Sequence, residues 1–239
     1  MFADDMSFLG KVRRKGLARL AFALRPLMVA STRQIMMDYP NRMAFETVGG
    51  NQLPGDYYEF GVFKGRSFID AAGLARNYCD RDLYRSMRLF AFDSFEGLPE
   101  SKEAHLPAQY SKGAFSASQA LFEKNCRQAG LPMDRVISIP GFFSELFAAG
   151  RDLSVLEGSK VAVAYIDCDI YEGARDALNF ITGRLQTGSA LVLDDWNRHH
   201  ASDRYGIRRA VAEWLSVNPH IKLNHILTTK RALFIADLG

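Results

Sequence analysis

At 239 residues, 48% of them hydrophobic and 24% charged, the chain has the size and make-up of one large α/β domain with a substantial core, which sets aside disordered and low-complexity classes. Its net charge of +3 hides an asymmetry: Gly10–Ala30 holds six basic residues (Lys11, Arg13, Arg14, Lys15, Arg19, Arg25) and no acid, so the rest stands at −3 and gives no global electrostatic case for a nucleic-acid partner. Three scattered cysteines without CxxC spacing (Cys79, Cys126, Cys168) argue against a disulfide framework or a structural zinc and for a reducing, cytoplasmic setting, and no apolar run reaches the length of a membrane-spanning helix.

In chain order, Met6–Ala30 reads as a basic amphipathic helix that Pro26 kinks or ends. It suits packing on the body or on a second subunit, so a homo-oligomer is expected, with weak contact to a membrane surface as the alternative. A second helix, Thr32–Val48, follows, with Ser31 or Thr32 as cap. The breaker GGNQLPGD then separates an N-terminal helical extension, 1–50, from the main domain, 51–239.

Tyr57–Gly61 (YYEFG) is the first strand, and helical periodicity is clear after Gly65. A strand, a glycine turn and a helix form a cradle for a nucleotide-like ligand, because glycines let the backbone approach and the helix N-terminus offers N–H groups. Phe63 stands where GxGxxG loops carry their middle glycine, and a tight turn without a ligand would select Gly61 and Gly65 equally well. Strand RLFAFD ends in Asp93, 28 residues after Gly65, against roughly 20 in the dinucleotide fingerprint, with the excess in the polar insert CDRDLYRS. Asp93 is placed for ribose hydroxyls or, alternatively, for helix capping. The long polar loop SFEGLPESKEAHLPAQYSKGAF has the length of a lid or binding element. A helix over Ser116–Ala129, a third strand over Arg135–Gly141 and a short helix in GFFSELFAAG follow.

The next two strands, within VAVAYIDCDIYEGARDAL and SALVLDDWN, are β-branched runs that end in carboxylates and are joined by an amphipathic helix, a parallel βαβ unit. Their acids therefore sit at the strand C-termini, where an open α/β sheet binds ligands. Asp167, Asp194 and Asp195 can converge there although 27 residues separate the first two, and such a cluster calls for a hard cation such as Mg2+. Strand alternation sends Tyr165 and Asp167 to one face and Cys168 to the core. Asp169 either reaches the cofactor or caps the following helix, the second being favoured. Asp167 and His199 are the candidate proton acceptors, with His200 beside the latter, although solvated loop histidines would look the same. Arg204–Ser216 is a further helix, and IKLNHIL, a basic turn TTKR and ALFIADL close the chain as an antiparallel hairpin.

Seven strands in this order predict a mostly parallel sheet with one antiparallel strand near an edge. A nicotinamide dehydrogenase would keep adding βα units, whereas a closing hairpin is characteristic of the Rossmann-like class I methyltransferases that use S-adenosylmethionine (SAM). A non-catalytic nucleotide-binding or membrane-associated module is the remaining alternative, motivated by the basic N-terminal helix.

The motifs YEFGVFKGRSF, FDSFEGLPE, the start of GFFSE, YIDCDIYEGARDAL and ALVLDDWN resemble, in order and spacing, the macrocin O-methyltransferase family, whose members methylate sugar hydroxyls with SAM and Mg2+. The likeness runs from about Leu53 to Trp214. It implies a SAM site drawn from Glu59, Phe60, Gly61, Gly65, Ser67, Asp93, Ser94, Gly141, Phe142 and Asp167. It also implies metal ligation by Asp167, Asp194 and Asp195, and a hydroxylated small-molecule acceptor, a sugar or glycoside, with a catechol as the other possibility.

Overall fold

The computed structural model describes residues 35–103, 106–148 and 151–239, so the helix expected over Met6–Ala30 lies outside the described residues. The chain divides into two units at Tyr39/Pro40, and the sheet belongs to the second, Pro40–Gly239. Helix α1 spans residues 35–50, and within the second unit it buries Ala44, Phe45 and Val48.

The sheet has seven strands in the order β3-β2-β1-β4-β5-β7-β6. These are β1 (Asp56–Phe60), β2 (Leu89–Asp93), β3 (Val136–Pro140), β4 (Val161–Ile166), β5 (Ala190–Leu193), β6 (Ile221–Thr228) and β7 (Ala232–Leu238). β1 to β5 are parallel, and β7 runs antiparallel to both its neighbours, as the closing hairpin predicts. Helices α2 (Arg66–Tyr78), α3 (Arg81–Ser86), α4 (Gln119–Gln128), α5 (Phe143–Leu146), α6 (Tyr171–Ile181) and α7 (Gly206–Val217) supply the layers. Helix α3 lies in the polar insert CDRDLYRS; Asp80 caps it by accepting from the Leu83 N–H at 2.8 Å.

Both faces of the sheet are covered, which is why β4 reads as an unbroken apolar run and every residue of β1, Asp56 and Glu59 included, is buried. Tyr58, Phe60, Phe90, Phe92, Ile166 and Leu193 face α5, α6 and α7 in one core; Tyr57, Ala91, Val163, Tyr165 and Val192 face α1, α2 and α4 in the other. Successive residues point to opposite faces, so the period of two sorts them. In the first core Phe60 stacks on Phe92 at 4.7 Å and Phe147 on Phe180 at 3.9 Å.

Register aligns the strand ends. The Gly61 N–H donates to Phe92 O at 2.8 Å, the Asp167 N–H to Phe60 O at 2.9 Å, the Asp194 N–H to Ile166 O at 2.9 Å and the Gly141 N–H to Asp93 O at 3.0 Å. Gly141, Asp93, Gly61, Asp167 and Asp194 therefore stand in a row along the C-terminal edge, before any side-chain contact is considered.

Candidate active site

A cleft of about 550 Å3 opens over that row. Its floor holds Gly61, Asp93, Ser94, Gly141, Phe142, Asp167, Asp194 and Asp195, all predicted site residues, and the long polar loop walls one side through Gly97, Leu98, Pro99, Glu100, Lys102 and Phe115. Gly61 is required by its backbone, at φ 87°, and by packing, since a Cβ there would lie 2.0 Å from the Asp167 carbonyl oxygen.

Four residues expected at the cofactor do not line this cleft. Phe60 points into the aromatic core because strand alternation places it opposite Glu59. Gly65 is the N-cap of α2 at φ 87° and packs on Phe122, so both backbone and packing call for a residue without a side chain. Glu59 is fully buried behind the loop, accepting hydrogen bonds from Tyr57 Oη and from Ser67 Oγ, the latter at 2.5 Å. Burial pushes Glu59 up to about 7 from 4.5, against the pull of the two hydroxyls.

A carboxyl whose pKa is raised on folding binds its proton more tightly in the native state, so its contribution is complete below pH 4.5 and is lost as pH climbs through about 7. Glu59→Gln should remove that slope and raise stability at pH 8 by up to ~3 kcal/mol, from about 1.4 kcal/mol per pK unit. Urea denaturation of both proteins at pH 5 and pH 8 checks this: the stability gap between them must widen with pH.

Asp93 lines the cleft but uses both oxygens on backbone, Oδ2 accepting from the Val62 and Phe63 N–H groups at 2.9 Å each and Oδ1 from the Phe95 N–H at 2.7 Å. It thereby fixes the glycine turn, with Phe63 at φ 48°. Ser94 donates to Gly97 O at 2.8 Å and shapes the start of the loop.

Asp167, Asp169 and Asp195 offer carboxylate oxygens that all lie within 4.8 Å of one another. Asp169 is therefore no helix cap: Ile170 occupies the N-cap of α6, and Asp169 sits at φ 57° with its carboxylate in the cluster. Asp195 is likewise left-handed, at φ 56°. Two non-glycine residues held there, each at a cost of about 1 kcal/mol, are the kind of strain that collects at functional sites. Asp194 interacts with Asp167, while its own oxygens face Lys230 at 3.2 Å and Arg231 at 3.6 Å. Burial and then Asp194 raise the Asp167 carboxyl well above the usual range; burial and then Asp195 take Asp169 up to about 7; burial and then Asp194 take Asp195 up to about 6. The cluster is thus short of positive charge even with its basic neighbours.

Those neighbours were not singled out from sequence. β7 runs antiparallel beside β5 with Ala232 opposite Leu193, so the residues just before β7 must arrive at the acidic edge. The turn TTKR accordingly delivers Lys230 and Arg231. Arg198 pairs with Asp195 at 2.6 Å and lies 5.1 Å over the Tyr110 ring. His199 lines a smaller hollow beside Asp169, Asp194 and Asp195 rather than the main cleft, its ring against Gly206. Cys168 is buried in the core as alternation predicts.

Glu172, in the first turn of α6, accepts from Ser101 Oγ and from the Lys102 N–H, each at 2.8 Å. Glu103 accepts from the Gly206 N–H at the start of α7, at 2.6 Å. The loop wall is thus tied to two helices. Glu172→Ala should leave the fold intact but speed tryptic cleavage after the exposed Lys102 by about tenfold, as expected when two charge-assisted bonds holding a local segment are lost. Mass spectrometry of the digest reads this directly.

The profile of the family described as Macrocin-O-methyltransferase (TylF) matches residues 8–221. The chain is similar to the 8-demethyl-8-(2,3-dimethoxy-alpha-L-rhamnosyl)-tetracenomycin-C 4'-O-methyltransferase of Streptomyces olivaceus, 28% identical over 181 residues that cover 70% of this chain and 66% of the relative. It is also similar to the Mycinamicin III 3''-O-methyltransferase of Micromonospora griseorubida, 28% identical over 176 residues, 67% of this chain and 65% of that one. The chain thus spans just under two thirds of the length of these curated relatives. Among solved structures, the O-methyltransferase NovP superposes with a TM-score of 0.65 at 24% identity, covering 84% of this chain and 79% of that chain. With the strand order, that likeness shows the fold, a seven-stranded sheet closed by an antiparallel hairpin and shared with a solved O-methyltransferase; the dehydrogenase reading falls away because the family model that matches is one of methyltransferases. Among the described residues no helix is long and apolar enough to cross a membrane.

Proposed function

Because the chain belongs to the macrocin O-methyltransferase family, we propose that it transfers the methyl group of SAM to a hydroxyl of a sugar or glycoside, with Mg2+ beside the reacting oxygen. One observation carries the reading: the three-carboxylate group opens into the same cleft as the row of strand ends Gly61, Asp93 and Gly141.

Three carboxylate oxygens within 4.8 Å of one another suit a small, hard, oxygen-seeking cation. Asp167, Asp169 and Asp195 would hold it, with Asp194 adjoining. When bound, the ion supplies Lewis acidity that makes an alcohol proton easier to remove. The remaining work falls to the chain. SAM brings its own leaving group, so the protein must hold the acceptor oxygen in line with the sulfonium methyl and keep water away. The row Gly61, Asp93, Ser94, Gly141 and Phe142 would receive the cofactor, and the wall formed by Gly97–Glu100 and Phe115 would close over the acceptor. Asp167, at the centre of the row, would take the hydroxyl proton on a carboxylate oxygen; His199, which lines the neighbouring hollow, is the second candidate.

Calorimetry with S-adenosylhomocysteine should show saturable binding, and turnover on a panel of sugar diols and catechols should fall at least ~100-fold on chelation and return with Mg2+. Turnover that survives chelation would remove the metal from the mechanism, and a preference for catechols would move the acceptor class.

A further inference from the structure

We propose that Lys230 is an in-built rival of the divalent cation, a tethered ammonium that neutralises the acidic cluster and must give way when the metal binds. The inference rests on the metal reading above and concerns a residue which that reading does not use.

At the C-terminal edge of the sheet, Asp167, Asp169, Asp194 and Asp195 meet three basic side chains, Lys230, Arg231 and Arg198. Lys230 Nζ lies 3.2 Å from Asp194 Oδ2 and 3.5 Å from Asp195 Oδ1, so one ammonium serves two adjacent carboxylates. With all four acids ionised, as a metal would require, a divalent ion among them turns a deficit of one positive charge into an excess of one, and like charges this close repel strongly where water is partly excluded. One of the three must therefore yield.

Packing decides which. Arg231 is 11% exposed and lies 5.1 Å over the Tyr165 ring, within the body of the sheet. Arg198 is 37% exposed, but Nε sits 2.6 Å from Asp195 and the guanidinium lies over Tyr110 of the loop wall. Lys230 is 40% exposed, stands on the hairpin turn at the cleft, and among the described residues stacks on no ring. Its compact ammonium on a flexible stem is the cheapest of the three to move into solvent. The rivalry has two consequences. The metal-free protein is spared an uncompensated acidic patch, and metal affinity is set lower than the carboxylates alone would give.

The test is Mn2+ binding to the full chain, followed by the loss of the free-ion signal in electron paramagnetic resonance, for wild type, Lys230→Met and Lys230→Arg. Lys230→Met keeps the apolar stem and removes the charge; it should bind Mn2+ about tenfold more tightly, Lys230→Arg about as wild type, as expected for removing one charge a few ångströms from the ion. Thermal melts supply a second readout: Lys230→Met should melt lower without metal and gain more on adding Mn2+. Binding by wild type and Lys230→Met at equal strength, or weaker binding by the variant, overturns the proposal and leaves the metal reading standing. Binding by Lys230→Met alone supports it. Binding by neither overturns the metal reading and the proposal with it.

Discussion

Asp167→Asn should lose methyl transfer by about three orders of magnitude and, in the absence of metal, gain about 1–2 kcal/mol of stability. The two effects have one cause. Asp167 sits at the centre of the strand-end row, with Asp194, Asp169 and Asp195 acting on it, and burial followed by Asp194 drives its carboxyl well above the ordinary range. A group held this way opposes folding at neutral pH, because the native state must either confine a charge among like charges or take up a proton. Asparagine ends that conflict: its carbonyl oxygen can still accept from Tyr165 Oη, now at 3.1 Å from the carboxylate, and its amide can donate to Asp194. It cannot serve as a charged ligand or a proton acceptor. Initial rates with saturating SAM, paired with urea denaturation in chelator, check both arms. A variant that is inactive and also less stable would mean that the cluster is a structural device and not a strained functional one.

The second large effect lies at the opposite edge of the sheet. Asp56, at the start of β1, accepts from the Arg88 backbone N–H at 2.8 Å, from Arg88 Nη2 at 2.8 Å and Nε at 3.2 Å, and from Ser159 Oγ; Tyr58 Oη donates in turn to Ser159 at 2.5 Å. Arg88 reaches on to Val155 O at 3.1 Å. Asp56→Ala strands the guanidinium, a backbone N–H and a hydroxyl together, and breaking a buried pair from one side costs about 3–5 kcal/mol. The Arg88 side chain is 32% exposed and can turn toward water, so the lower end is expected. The network stands at the N-terminal ends of the parallel strands, away from the cleft, so kcat at 25 °C should stay near wild type while the denaturation midpoint falls. Loss of activity in proportion to stability would show that the two edges are not independent.

What was legible in the sequence follows from how each feature is encoded. The ends of β4 and β5 were readable because an apolar β-branched run stopping at an acid is a local signal, and the parallel register does the rest: Asp167 and Asp194 had to meet. The role of Asp169 depends on a left-handed backbone at φ 57°, a conformation that Asp tolerates better than most residues but that the sequence does not mark at any one position. Glu59 stands in the motif of the expected cofactor loop; the period of two puts it on the same face as Tyr57, toward α2, and its bonds to Tyr57 and Ser67 follow that geometry. Helix α3 is not legible in the sequence because six residues give too little periodicity to separate from a polar connection; its marks are Asp80 at the cap and Asp82 in the first turn. Lys230 and Arg231 were visible as a basic turn. Their meaning came from topology, since only the antiparallel placement of β7 beside β5 carries that turn to the acids.

The placement of β7 also bears on how such a chain is made. β7 follows the other six strands of the sheet in sequence, yet it is an interior strand, flanked by β5 and β6. Until it emerges, the nascent chain carries an open β5 edge, a surface prone to pairing with other chains, and a set of acids still awaiting part of its counter-charge. Closure of the sheet therefore waits for β7, and the half-built sheet that precedes it is the species most exposed to pairing with its neighbours.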